Sequence, residues 1–181
     1  GVAGTPFIDE GDVSGSHTYG HALANLSHVS GACQLFRRRC FEEIGGYTPI
    51  KGGGIDWVAV TTARMKGWTT RTFLERTCVH HRAMGTADRG AIRARFRHGQ
   101  EDYRVGNHPV WEIARGLFQM KNKPRVIGGL SLICGFTFAW LSRTPNPVPE
   151  PLRMFHRAEQ LERARKMLSS RKSQRQSMKR T

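Results

Sequence analysis

At 181 residues the chain is long enough to bury a core, and its length sets the expectation of one domain with appendages. Its 29 Lys and Arg outweigh 14 Asp and Glu to give +15, and +8 of that lies from Arg153 onward, so a basic tail rather than a uniformly basic surface carries the excess. Such a tail suits anionic lipid, nucleic acid or plain solvation, while four scattered cysteines (Cys33, Cys40, Cys78, Cys134) without a C-x-x-C pair argue against zinc ligation and a disulfide framework. They read as reduced, small apolar side chains in a cytosol-facing domain. No charged start followed by an apolar run marks a signal peptide, and Val2 to Phe7 reads as the tail of an interrupted strand, so an upstream segment is expected.

The stretch to about Ser30 is rich in Gly, Ser, Asp and His and predicts loop with at most short elements. Cys33 to Phe36 alternates as a short strand ended by Arg37, Arg38 and Arg39, and Phe41 to Ile44 makes a brief helix stopped by Gly45-Gly46. Lys51 to Gly54 forms a flexible loop before a helix from Asp56 to Lys66, with Gly67 just past its end. Thr69 to Val79, rich in Thr, Phe and Val, predicts one strand running into His80-His81-Arg82. This alternation is an α/β arrangement.

Asp88 is placed to cap a helix reaching Tyr103, and Pro109 to open another reaching Met120. Val126 to Leu141 holds sixteen residues without a charge, short of the roughly 20 that a spanning helix needs. It is read as a buried hairpin helix, an interfacial or re-entrant helix, or a short span. Lys121, Lys123 and Arg125 before it and Arg143 after it give no clear orientation. Pro145, Pro147, Pro149 and Pro151 predict a stiff linker, then a basic amphipathic helix from Leu152 to Leu168 and disorder beyond Ser169. The two apolar-faced segments together point to membrane association.

The chemistry concentrates between Ser30 and Arg82. A carboxylate at Asp56 sits at a predicted helix start, where the dipole and free amides favour negative charge, and Gly52-Gly53-Gly54 leaves the backbone before it clear of side chains. The plainer role for Asp56 is an N-cap, worth about 1 kcal/mol. Trp57, beside it, carries a flat apolar ring, whereas Trp68 after the helix stop reads as core. Arg37, Arg38 and Arg82 have the fork geometry for bidentate binding of an anion, and serve equally well as solvated strand ends.

Taken in order, Ser30-Gly31-Ala32, Phe36-Arg37-Arg38, Phe41 to Tyr47 with its Gly-Gly stop, Gly53-Gly54-Ile55-Asp56-Trp57, and Gly67-Trp68 before His80-His81-Arg82 form a pattern. It resembles the second half of the catalytic domain of family-2 inverting glycosyltransferases, which have the GT-A fold. The likeness covers about 31–82 and, more loosely, 1–7 and 95–115. It implies a partial GT-A (nucleotide-diphospho-sugar transferase-like) domain over 1–107 without its nucleotide-binding half. Amphipathic and hydrophobic helices over 108–143 follow, then a Pro-rich linker, basic helix and tail over 144–181.

The same resemblance implies hexosyl transfer, with inversion, from a nucleotide-sugar donor to a saccharide or lipid-linked acceptor at the cytoplasmic face of the cell membrane. Asp56 would be the catalytic base, with Gly31, Ala32, Gly53, Gly54 and Trp57 on the acceptor and His81, Arg38 and Arg82 on the donor. Ile55 stands where the family has Glu, so a helper role for that first acid does not carry over. The family's Asp-x-Asp metal motif does not occur, since Asp9, Glu10 and Asp12 have the wrong spacing. A divalent metal (Mg2+ or Mn2+) is therefore expected on upstream ligands, with His81 the one candidate here, and the chain as given is expected to be inactive. The rival readings are a non-enzymatic basic module binding membrane or nucleic acid, and an inactive remnant. Nucleic acid is disfavoured because no aromatic RNA platform or recognition-helix pattern appears.

Overall fold

The computed structural model describes residues 1–5, 7–9, 26–31, 33–50, 54–75, 78–80, 90–121 and 124–178. Two compact units emerge, Gly1–Arg89 and Gly90–Thr181. The first is mixed α/β and the second helical.

In the first unit the order is β1 (Val2–Gly4), β2 (Phe7–Asp9), β3 (Gln34–Phe36), α1 (Arg38–Glu43), α2 (Ile55–Met65), β4 (Thr70–Thr72) and β5 (Cys78–His80). A three-stranded sheet has the order β3-β1-β4, with β1 antiparallel to β3 and parallel to β4. A second sheet pairs β2 with β5 in parallel. The single strand expected over Thr69 to Val79 is thus two strands in two sheets. Strand β4 pairs with β1 and β5 with β2, and five residues separate β4 from β5 where two separate β1 from β2.

The core of this unit is Val2, Val29, Cys40, Val60 and Ala63, with Phe36, Ile44 and Trp68 packed against it. Helix α2 buries Val58, Ala59, Val60, Thr61 and Ala63, a run that at 100° per residue wraps most of the way round the helix rather than forming one stripe. The chain from Leu26 to Val29 runs beside β4. Thr72 N donates to Leu26 O at 2.7 Å and the buried Thr72 hydroxyl donates to His28 O at 2.6 Å, satisfying polar groups that burial would otherwise penalise. Helix α1 starts at Arg38, earlier than the sequence indicated, and carries the exposed i,i+4 ion pairs Arg38–Glu42 and Arg39–Glu43. Cys40, Cys33, Cys78 and Cys134 are all free; Cys40 is a core residue whose thiol burial pushes up, while Cys134 is exposed.

The second unit comprises α3 (Ala91–Arg104), α4 (Pro109–Gln119), α5 (Ile127–Leu141) and α6 (Glu150–Met178). Helix α3 therefore groups with the helices after it, and the division falls at Arg89–Gly90. His108 caps α4, its Nδ1 accepting from Val110 N at 3.2 Å, and Pro109 opens the helix as expected. The residue expected to cap α3, Asp88, lies outside the described residues. Helix α6 starts two residues before Leu152 and continues past Ser169 to Met178, where disorder had been expected; its Arg, Lys, Gln and Met residues are good helix formers.

Helix α5 is packed through its small residues. A Cβ at Gly135 would strike the Phe96 carbonyl of α3, one at Gly99 would strike the Leu132 carbonyl, and one at Gly129 would strike the Gly116 carbonyl of α4. Its buried face is Gly128, Gly129, Leu132, Gly135, Phe136 and Ala139. The outward residues include Ile127, Leu130, Phe138, Trp140 and Leu141. Among the described residues no helix is long and apolar enough to cross a membrane.

A buried polar cluster joins α3, α4 and α6. Asn107, between α3 and α4, donates Nδ2 to Glu112 Oε2 at 3.1 Å and accepts on Oδ1 from Gln160 Nε2 at 2.9 Å. The same Oδ1 lies 2.8 Å from His156 Nε2. Gln160 Oε1 accepts from His108 N at 2.7 Å, and Arg157 Nε donates to Gly106 O at 2.9 Å. Arg115 is paired with Asp102 and stands 3.9 Å from Glu112. Burial, reinforced by the Asp102 charge, pushes the Glu112 carboxyl up to about 8 despite Arg115 and Asn107.

Candidate functional site

Asp56 occupies the first turn of α2, where backbone N–H groups lack helical partners. The residue before the helix, Gly54, has φ 86, a left-handed conformation that glycine adopts without a Cβ penalty. From this turn the Asp56 carboxylate reaches back 25 residues, its Oδ2 accepting from Gly31 N at 3.0 Å. A Cβ at Gly31 would stand 2.6 Å from that oxygen and 2.9 Å from Asp56 Cβ and Cγ. Only glycine at position 31 lets the carboxylate rest there. Asp56 is half-buried, so part of it still faces solvent.

The turn after α1 supplies a neighbour to which the sequence reading gave no role. Gly45 and Gly46, at φ 79 and 72, reverse the chain so that Tyr47 folds back over α1. Its ring lies edge-on to Phe41 at 5.3 Å and to Phe36 at 5.9 Å. Its hydroxyl donates to Gln34 Oε1 at 2.8 Å, and Gln34 Nε2 donates to Val29 O at 2.8 Å. Burial first, and the Asp56 charge second, push the Tyr47 hydroxyl up. The signal was present in the sequence as the aromatic closing a Gly-Gly stop; its link to Gln34 depends on tertiary folding.

Comparison with protein-family models, curated proteins and solved structures gives no match to this chain. The chemistry of the site must therefore be read from its own residues. Gly31, Gly54 and Asp56, singled out from sequence, are brought together. Trp57 follows Asp56 in α2 and is half-buried. Trp68 packs on the core as expected, and its Nε1 donates to Glu43 Oε2 at 2.7 Å. Arg38 does not end a strand: it lies on α1 with a side chain 92% exposed, paired with Glu42 at 2.8 Å. Ala32, Gly53, His81 and Arg82 lie outside the described residues. Among the described residues no three His, Cys, Asp or Glu side chains converge as a metal site.

A carboxylate held through one oxygen by a backbone amide, on a half-buried residue, is equipped to accept a proton from a hydroxyl.

Proposed function

We propose that this chain is the acceptor-side part of an inverting glycosyltransferase of GT-A type, with Asp56 as general base. The observation that carries the reading is the contact of the Asp56 carboxylate with the Gly31 amide across 25 residues of sequence. On this reading the acceptor hydroxyl oxygen attacks the anomeric carbon of a nucleotide-sugar donor. The bond from that carbon to the diphosphate breaks, the diphosphate leaves with the electron pair, and the hydroxyl proton passes to Asp56. Gly31 holds Oδ2 so that the carboxylate does not swing away from the incoming hydroxyl. The acceptor is a saccharide or lipid-linked saccharide. Donor diphosphate and its divalent cation are assigned to residues other than these.

The test is Asp56→Asn in the full-length enzyme, which keeps size and hydrogen-bonding shape. Turnover should fall on the order of 10²- to 10⁴-fold with far-UV circular dichroism unchanged. Near-wild-type turnover would remove Asp56 as the base, and with it this reading.

A further inference from the structure

Helix α5 is built inside out for a protein surrounded by water. At 100° per residue its buried positions fill an arc of roughly 120°, and these are largely glycine and alanine. Ile127, Leu130, Cys134, Phe138 and Leu141 fall within an arc of roughly 80° on the other side. All five are exposed, Leu141 by 72% and Ile127 by 54%. Hydrophobic burial in water would select the opposite arrangement. Small residues between helices with bulky apolar residues outward is the arrangement favoured when the surroundings are themselves apolar.

The ends of the helix identify those surroundings. Lys121 and Arg125 before α5 and Arg143 after it are exposed, and the sequence has no Asp or Glu between Glu112 and Glu150. Cations at both ends of an apolar stripe complement anionic headgroups bordering acyl chains. Trp140, 62% exposed in the last turn of the helix, has the amphipathic ring suited to that boundary. Fifteen residues reach only about 22 Å, less than the ~30 Å of a bilayer core, so the helix lies in the membrane plane rather than crossing it.

We propose that the outer face of α5 docks into the headgroup–acyl boundary of an anionic bilayer. This inference is independent of the reaction at Asp56. The test uses the full chain with phosphatidylcholine vesicles, with and without phosphatidylglycerol, followed by co-sedimentation and tryptophan emission. Binding should favour the anionic vesicles and shift emission to the blue, and Trp140→Phe should remove most of the shift. Leu130→Gln and Leu141→Gln, both at exposed positions, should each weaken partition roughly tenfold while leaving helical content unchanged. Replacing Lys121, Arg125 or Arg143 by Gln should weaken anionic binding about fivefold each. Three results would overturn the proposal. One is absence of binding to anionic vesicles at low salt. Another is undiminished binding by the doubly substituted Leu130 and Leu141 protein with no Trp140 response, which would assign the membrane contact to basic α6. The third is a wild-type dimer that becomes monomeric on those substitutions and ignores vesicles, which would make the stripe an interface between two copies.

Discussion

At Gly31 a single missing methyl group decides where a carboxylate rests. The Asp56 oxygen occupies the space a side chain would need, and the amide of the same residue holds it. Gly31→Ala therefore pushes Asp56 aside, costing about 1–3 kcal/mol in urea unfolding as local overpacking. On the proposed chemistry, displacement of the base also lowers turnover on the order of 10²-fold. A variant that loses stability but keeps its turnover would show that the contact shapes the turn and nothing more. The residue types at this site were legible in the sequence as a glycine, a glycine-led helix start and an acid. What could not be read was that Gly31 touches Asp56, because a contact between residues 25 apart depends on how the sheet and α2 pack. Tyr47 was overlooked for the same reason: its link to Gln34 arises only once α1 and the Gly45-Gly46 turn bring it back over Phe36.

Elements with local signals were the ones the sequence revealed. Helix α2 has a glycine at each end, and it ends with Gly67 at φ 83 as its composition indicated. Helix α4 was equally plain from Pro109. The strands were harder, because three-residue strands are defined by their partners: β4 and β5 divide where β1 and β2 divide. Helix α5 was visible as a charge-free run, but which face turned inward was not, since every candidate face is apolar. Packing by glycine settles it and makes a prediction. Gly135→Ala sets a methyl group against the Phe96 carbonyl, a backbone atom that cannot rotate away, and should destabilise the helical unit by about 1–3 kcal/mol in denaturant titration. The same substitution at exposed Cys134 should change stability little.

For the molecule as a whole, the Glu112 cluster makes stability depend on pH. Folded Glu112 holds its proton up to about 8, whereas an unfolded glutamate releases it near the ordinary carboxylate range. Its contribution is complete below that range, declines as pH rises toward 8 and levels off above it. Asp102 from α3, Arg115 from α4 and His156 from α6 surround the cluster and shape the curve. Unfolding free energy should therefore fall between about pH 5 and 8, and Glu112→Gln, which cannot ionise, should flatten that slope while keeping the acceptor for Asn107. An unchanged slope in Glu112→Gln would place the titration elsewhere.

The ties of α6 to the α3–α4 connection fall in its first turns, through His156, Arg157 and Gln160, with Arg163 stacked over Trp111 at 5.4 Å. The helix nonetheless runs for 29 residues, about 44 Å. Its basic second half is thus borne on a rod of fixed pitch rather than on a loose tether. An anionic surface meeting that rod gains several cations whose backbone has already given up its conformational freedom, so less entropy is lost at each contact than when a flexible tail is captured.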